Sequence, residues 1–333
     1  MKKNRSLLFA AAFVFLSLSA CGAPREYASD FFAMDTYMSS KTYGTDASGA
    51  VKEEAERLES LFSVTDENSE IGVLNVKGSV KASTETFELI EKALEISEKT
   101  DGALDITVYP AVKAWGFTTG DYAVPSPERI EELRALTDYE KVDIDGDTVS
   151  VPEGFMIDLG AVAKGYLGDR VRVILKDSGI TSAIADLGGN IVTVGDKPDG
   201  SPWRVAIRDP NGDGSVGVIE VTDKCVVTSG GYERYFTDEN GVKRWHIIDP
   251  ATAQPADGGL LSATVIGEGC VLCDGLSTAI FVMGAEKAKA LWQSEGGFEM
   301  ILVTKAGEVL VTDGIKDSFF LDGGSGYELK VIG

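Results

Sequence analysis

Helix-like and strand-like stretches alternate irregularly along this chain, and that irregularity most constrains its fold. A doubly wound sheet needs strand and helix in regular succession, whereas here helical patterns gather early and short strands late. Val51, Ala55, Leu58, Leu61 and Phe62 recur at helical spacing over residues 49–62. Thr84–Thr100 repeats the pattern with Phe87, Ile90 and Leu94 on one face, Ser83 or Thr84 as N-cap, and a stop at Asp101-Gly102. Ser126-Pro127-Glu128 opens a third, short helix, and residues 140–151 form a hairpin about Asp145-Gly146. Phe31–Met38 reads as a strand continued by Lys41-Thr42-Tyr43, and Ala103–Pro110 combines strand propensity with turn breakers. Later strands are expected at residues 182–186, 190–194, 203–208, 216–221, 225–228, 244–248 and 262–267. Val271–Met283 follows as a buried helix and Glu286–Ser294 as another, and two hairpin-like pieces close the chain. The sum is an α+β fold of antiparallel sheets with packed helices.

The N-terminus bears on compartment. Lys2, Lys3 and Arg5 precede an apolar run from Leu7 to Leu18, and Leu18-Ser19-Ala20-Cys21 follows, a pattern that resembles a bacterial lipoprotein signal. The run is short for a membrane span. Residues 1–20 are therefore expected to be a signal peptide, Cys21 the lipidated residue on the bacterial cell membrane, residues 21–30 a tether and 31–333 one extracytoplasmic domain. Cleavage would remove three positive charges and no acids, taking the formal charge from −22 to −25. Such a surface repels nucleic acid, so any bound polyphosphate must bring a cation. The three remaining cysteines, Cys225, Cys270 and Cys273, cannot all pair, and the fold is not expected to rest on disulfides. Cys270-x-x-Cys273 reads more readily as two buried small residues than as a metal or redox pair.

Three stretches carry candidate chemistry. In Ile157–Tyr166 an apolar segment ends at Asp158-Leu159-Gly160 and passes into a helical pattern that stops at Ser178-Gly179. A strand handing over to a helix at Gly160 would offer free N–H groups to an anion, with Asp158 and Lys164 flanking them, although ordinary strand-to-helix packing explains the pattern equally well. His246, the only histidine, is expected to end a short strand beside Asp249-Pro250, and a single histidine excludes a multi-histidine metal site. Asp274 and Thr278 lie four apart on one helical face and could hold a hard cation with a backbone carbonyl. Equally, Asp274 could cap the helix while Thr278 bonds back to its own turn.

Taken together, these runs resemble the FAD:protein FMN transferases, the ApbE-type flavin transferases. The likeness covers nearly all of the chain after the leader: Phe62-Ser63 with Ser69-Glu70-Ile71 and Leu74-Asn75, then Asp101–Val108 and Trp115-Gly116-Phe117. It continues through Asp158–Tyr166, Leu187–Asn190, Thr228-Ser229-Gly230, His246–Pro250 and Asp274–Thr278. The resemblance implies a T-fold-like core, FAD as substrate and a Mg2+ ion held by the carbonyl of Ala161 and the side chains of Asp274 and Thr278. It places flavin-nucleotide contacts on Met34, Ala103, Leu104, Asp105, Asp158, Lys164 and Ile248. Thr65 stands where many members carry an aromatic residue that stacks on the nucleotide, and Ala251-Thr252-Ala253 replaces the usual Thr-Gly after Asp-Pro. The implied reaction transfers FMN from FAD to a Thr or Ser hydroxyl of an extracytoplasmic acceptor and releases AMP, with Asp274 and His246 as catalytic residues. Acceptors would be membrane redox-pump subunits or secreted flavoproteins. The alternatives are an FAD pyrophosphatase and a lipid-anchored FAD-binding protein without catalysis.

Overall fold

The computed structural model describes residues 24–333, so the expected signal peptide and Cys21 lie outside the described residues. The chain opens on a hairpin of β1 (Glu26–Ala33) and β2 (Thr36–Tyr43). Met34 and Asp35 make its turn with φ of 48° and 57°, left-handed values that suit the twist of a two-residue hairpin. The single strand expected at Phe31–Met38 is thus two strands, and β1 begins inside the expected tether. Helix α1 (Ser48–Phe62) buries Val51, Ala55, Leu58 and Phe62 as its spacing demands.

The sequence reading passed over α2 (Glu70–Lys77), which Ser69 caps by accepting from the Gly72 N–H and which ends on left-handed Gly78. After β3 (Ser79–Lys81) comes α3 (Thr84–Lys99), with Ser83 as its N-cap. The stretch after Ala103 is helical rather than strand-like. Asp105 accepts from the Thr107 N–H and starts a tight turn at Ile106–Val108, which leads into α4 (Tyr109–Ala114). Pro110 falls in the first turn of α4, where its missing N–H costs nothing. Helix α5 (Pro127–Arg134) and the hairpin of β4 (Asp143–Asp145) and β5 (Thr148–Ser150) form as expected.

The central helix, α6 (Ala163–Asp177), starts three residues beyond Gly160, and no strand precedes it. The extended segment before it is held by a side chain acting as a strand neighbour. Asn75 Nδ2 donates to Ile157 O at 2.8 Å, and Asn75 Oδ1 accepts from the Ile157 N–H at 2.7 Å.

Next come β6 (Ala183–Asp186), β7 (Asn190–Val194), β8 (Trp203–Arg208), β9 (Ser215–Val221) and β10 (Cys225–Gly230). The strand expected at 244–248 is split. β11 (Tyr235–Thr237) pairs with β12 (Lys243–Trp245), and β13 (Ile248–Asp249) pairs with β14 (Gln254–Pro255), leaving His246 between β12 and β13. The chain finishes with β15 (Leu260–Gly267), α7 (Cys270–Met283), α8 (Ala285–Glu295), β16 (Phe298–Thr304), β17 (Glu308–Thr312), β18 (Phe319–Leu321) and β19 (Glu328–Ile332).

A nine-stranded sheet in the order β1-β2-β6-β7-β10-β15-β16-β17-β19 organises these elements. Only the β17–β19 pair is parallel, so the last piece is not the expected hairpin: β18 joins β9 in a small sheet with β8 before β19 returns beside β17. Adjacent residues Val226 and Val227 of β10 belong to different cores, as a strand's period of two requires. Val227 packs with Leu167 of α6 and Ile280 of α7 in the larger core. Val226 packs with Trp203, Ile219 and Phe319 in the smaller one. Helices therefore cover one face of the sheet and β8-β9-β18 the other.

A disulfide joins Cys225 at the start of β10 to Cys270 at the start of α7, with Cα atoms 5.4 Å apart, while Cys273 stays buried and free. This corrects the expectation of a fold without disulfides. The two partners lie 45 residues apart in sequence, and only the packing of α7 on β10 makes them neighbours.

Candidate functional site

The first turns of α6 and α7 approach so closely that only glycine fits at position 165. A Cβ there would lie 2.5 Å from Cys270 O, 2.7 Å from Asp274 Cβ and 2.7 Å from Val271 Cα. The approach lets the Gly165 N–H, a first-turn donor with no helical partner of its own, reach Asp274 Oδ2 at 2.7 Å. The Ala161 carbonyl, just ahead of the helix, receives no backbone N–H among the described residues.

Asp274 lies inside α7, whose N-cap is Gly269, so it does not cap the helix. One turn on, Thr278 Oγ1 is 3.2 Å from Ser229 Oγ of β10, which is itself 2.7 Å from Ser277 Oγ. Thr278 thus faces across to β10 instead of bonding to its own turn. Asp274 and Thr278 stand one turn apart on α7, and the Gly165 bond brings the α6 start, four residues after Ala161, against Asp274; carboxyl, hydroxyl and carbonyl are all oxygen donors, the kind a hard cation takes. Asp274 is only 4% exposed, and burial pushes its pKa up against the opposing pull of Lys164, Asn190 and the Gly165 N–H. A divalent cation would hold the Asp274 carboxylate ionised, so these residues fit Mg2+.

Lys164 stands at the centre of the remaining groups. Its charge acts on Asp158, Glu233, His246 and Asp274, which come from four separate segments. Asp158 Oδ1 accepts from the Gly160 N–H at 2.8 Å. Crowding by protein raises its pKa although part of the residue still meets solvent, while that N–H, Lys164 and Arg234 pull it down.

His246 Nδ1 lies 3.2 Å from Arg234 O, and its ring meets Phe117 edge to face at 6.3 Å. Burial lowers its pKa to about 4; the bond to Arg234 O opposes this, and the charges of Arg234 and Lys164 reinforce it. The ring is therefore neutral near pH 7. With Nδ1–H donated to the carbonyl, Nε2 keeps a lone pair able to take a proton.

The other expected contacts distribute unevenly. Met34 sits at the β1–β2 turn, beside Asp35, which pairs with Arg234 at 2.6 Å and so ties that turn to the residue whose carbonyl holds His246. Ile248 and Leu104 are buried, Ala103 is half-buried, and Leu104 Cδ2 packs against Gly275 of α7. Both oxygens of Asp105 serve the fold: Oδ1 accepts from the Thr107 N–H and hydroxyl at 2.8 and 2.6 Å, and Oδ2 accepts from the Tyr139 N–H at 2.9 Å. These three bonds leave one lone-pair site on Oδ2 for any further partner. Thr65 is exposed on the loop after α1, its Oγ1 3.1 Å from Ser63 Oγ. Glu233, Arg234, Gly165 and Asn190 were given no role by sequence reasoning. Gly165 carried a signal, since a glycine inside a helix costs about 1 kcal/mol relative to alanine and calls for a packing reason.

Known proteins resemble the chain closely. Residues 34–302 match the model of the ApbE family. An FAD:protein FMN transferase of Treponema pallidum is 34% identical over 283 residues, which are 79% of this chain and 78% of that protein. Another, of Vibrio cholerae serotype O1, is 39% identical over 215 residues, 63% of this chain and 64% of the relative. Among solved structures, the ApbE protein from Thermotoga maritima superposes with a TM-score of 0.82 at 34% identity, covering 88% of this chain and 99% of that one. Flavin transferase ApbE from Vibrio cholerae superposes with a TM-score of 0.75 at 30% identity, covering 91% of this chain and 98% of that one.

Proposed function

The chain belongs to the ApbE family, and on that premise we propose that it is an FAD:protein FMN transferase that moves FMN from FAD to a Thr or Ser hydroxyl of an extracytoplasmic acceptor protein. One observation carries the reading: the Gly165 N–H at the start of α6 bonds the buried Asp274 of α7, which seats the helix start bearing Lys164 against the helix that carries Asp274 and Thr278. Ala161, Asp274 and Thr278 would hold Mg2+, which supplies charge neutralisation at the pyrophosphate and at the phosphorus under attack.

Lys164 binds the phosphate oxygens through its ammonium and its own N–H, the one first-turn donor of α6 without a partner among the described residues. His246 Nε2 takes the proton of the acceptor hydroxyl as its oxygen attacks the FMN-side phosphorus. The bond between that phosphorus and the bridging oxygen breaks, AMP leaves with the bridging oxygen, and the acceptor keeps FMN in a phosphoester. Met34, half-buried at the β1–β2 turn, offers apolar surface to the flavin or adenine. Water in place of the acceptor hydroxyl gives FMN and AMP instead. The open loop carrying exposed Thr65 favours some such hydrolysis when no acceptor is present.

Cys21, lipidated, would fix the domain to the outer side of the cell membrane within reach of redox-pump subunits. Intact mass of protein extracted from membranes tests the anchor: unmodified Cys21, or cleavage elsewhere, rejects it. Transfer itself is tested by incubating the protein with FAD, Mg2+ and a flavin-free acceptor. An acceptor that gains one FMN mass supports the reading, and release of free FMN with no mass gain replaces transfer by hydrolysis.

A further inference from the structure

On the side of the nine-stranded sheet away from the helices, a cleft of about 910 Å³ opens between the sheet face and β8. Arg204, Val205, Ala206, Ile207 and Arg208 line it in unbroken succession. Side chains of a strand alternate between faces, so such a run points to a strand presenting its edge. β8 has only β9 as a neighbour among the described residues.

The pairing of β9 shows which backbone groups are free. The Glu220 N–H donates to Ser318 O and the Asp322 N–H to Val216 O, so even-numbered residues of β9 bond on the β18 side and odd-numbered ones face β8. With Val205 opposite Ile219, the odd residues of β8 bond to β9. The N–H and C=O groups of Arg204 and Ala206 therefore point away from β9, into the cleft. Such an edge is a template for an added strand.

The cleft leads to the site already described. At one end it is bordered by Arg204, the first residue of β8 to line it, and at the other the Arg208 guanidinium lies 5.1 Å from the Tyr232 ring. Glu233 and Arg234 line that second end, where Arg234 O holds His246 and Glu233 lies within the influence of Lys164 and Asp274. Beneath β8, the buried Ser40 Oγ of β2 also borders the cleft and has no hydrogen-bond partner.

We propose that the acceptor protein docks as an extended segment added to the free edge of β8, which carries its hydroxyl residue past Arg208 and Tyr232 to His246 and Lys164. This rests on the transferase reading above, because only a protein substrate has a strand to add. Strand addition gives affinity through main-chain hydrogen bonds and asks little of the acceptor's side chains. That suits an enzyme whose substrate is a hydroxyl within a polypeptide.

Ala206→Pro removes one cleft-facing N–H without touching the β8–β9 bonds, since proline is tolerated on an edge strand where its N–H is not needed. The probe is the soluble domain of a redox-pump flavoprotein subunit made without its covalent FMN. In the variant, KM for this acceptor is expected to rise at least tenfold, while release of FMN and AMP from FAD alone stays within twofold of wild type. In wild-type protein, amide exchange over residues 203–208 is expected to slow when the acceptor is added. An unchanged acceptor KM in a folded variant, or unchanged exchange over 203–208 with an acceptor that is being labelled, overturns the docking. Protection that depends on enzyme concentration without acceptor also overturns it and assigns the edge to self-association. A wild-type protein that labels no acceptor counts against the transferase reading itself.

Discussion

Gly165→Ala tests whether the contact between α6 and α7 builds the cation site. The added methyl would stand 2.5–2.7 Å from three atoms, two of them backbone, and none is the movable end of a side chain. Ordinary carbon contacts are about 3.5–4.0 Å, so the helices must part by roughly 1 Å. Overpacking of this kind costs about 1–3 kcal/mol. The same movement breaks the 2.7 Å bond from the Gly165 N–H to Asp274, and a hydrogen bond to a charged group contributes about 1.5–3 kcal/mol. Alanine's better helix propensity returns about 1 kcal/mol. The balance is a loss of about 2–5 kcal/mol, or a fall in Tm of about 4–10 °C for a domain of this size. Mg2+ affinity should drop at least tenfold, because Asp274 and Ala161 lose their common reference in Gly165. Thermal unfolding with and without Mg2+, together with a calorimetric Mg2+ titration, gives both numbers. Gly49→Ala is the control: it is exposed on α1, nothing lies within 4 Å of the added Cβ, and it should raise stability by up to about 1 kcal/mol. If Gly165→Ala behaves like Gly49→Ala, the close helix contact does not set the site.

Asp274→Ala is expected to abolish Mg2+-dependent turnover while the far-ultraviolet spectrum stays unchanged; retained turnover would remove Asp274 from the cation site. His246→Asn should slow transfer by ~10²-fold with FAD affinity held, as loss of a proton acceptor requires, and weakened FAD binding at an unchanged rate would make it a positioning residue. Because the pKa of His246 is lowered from 6.5 to about 4, its neutral form persists down to about pH 5, and kcat/KM should fall only as the pH drops through about 4. The same depression makes the folded state lose stability as pH falls from 6.5 towards 4, because the unfolded chain takes up a proton that the folded one refuses. An acid limb at 6.5 in kcat/KM, or a His246-dependent stability that does not change between pH 6.5 and 4, would contradict the described environment. Reducing Cys225–Cys270 opens a loop of 45 residues, worth about 4 kcal/mol in the chain-entropy model, and should lower the urea midpoint; a midpoint indifferent to reductant would contradict the pairing.

Local chemistry was legible in the sequence where it is self-contained. Ser83 and Ser126 cap the helices they were expected to cap, and the expected hairpin forms with its turn one residue on, at Gly146-Asp147. What escaped depended on partners distant in sequence. Ile157 has strand-like bonds only because Asn75, 82 residues earlier, supplies them from a side chain. The run after Ala103 has strand propensity, but the carboxylate of Asp105 folds it into a turn, and Tyr139, 34 residues on, occupies its other oxygen. Asp274 and Thr278 were legible as a pair at helical spacing. That the Gly165 N–H would bond Asp274 was not, since it follows from the packing of α6 on α7. Cys225 and Cys270 likewise meet only through the seating of α7 on β10.

The most direct test of the central claim is the fate of the two halves of FAD in one reaction. Transfer and hydrolysis share the broken bond and differ in which hydroxyl attacks. A docked acceptor outcompetes water only through effective molarity, on the order of 10⁵ M in well-oriented cases. Wild-type protein with FAD, Mg2+ and the flavin-free acceptor domain should yield AMP and covalent FMN-acceptor in equal amounts, with free FMN a minor product and nothing formed in EDTA. Free FMN appearing in step with AMP, at the same rate with and without acceptor and with no acceptor mass gain, would contradict it.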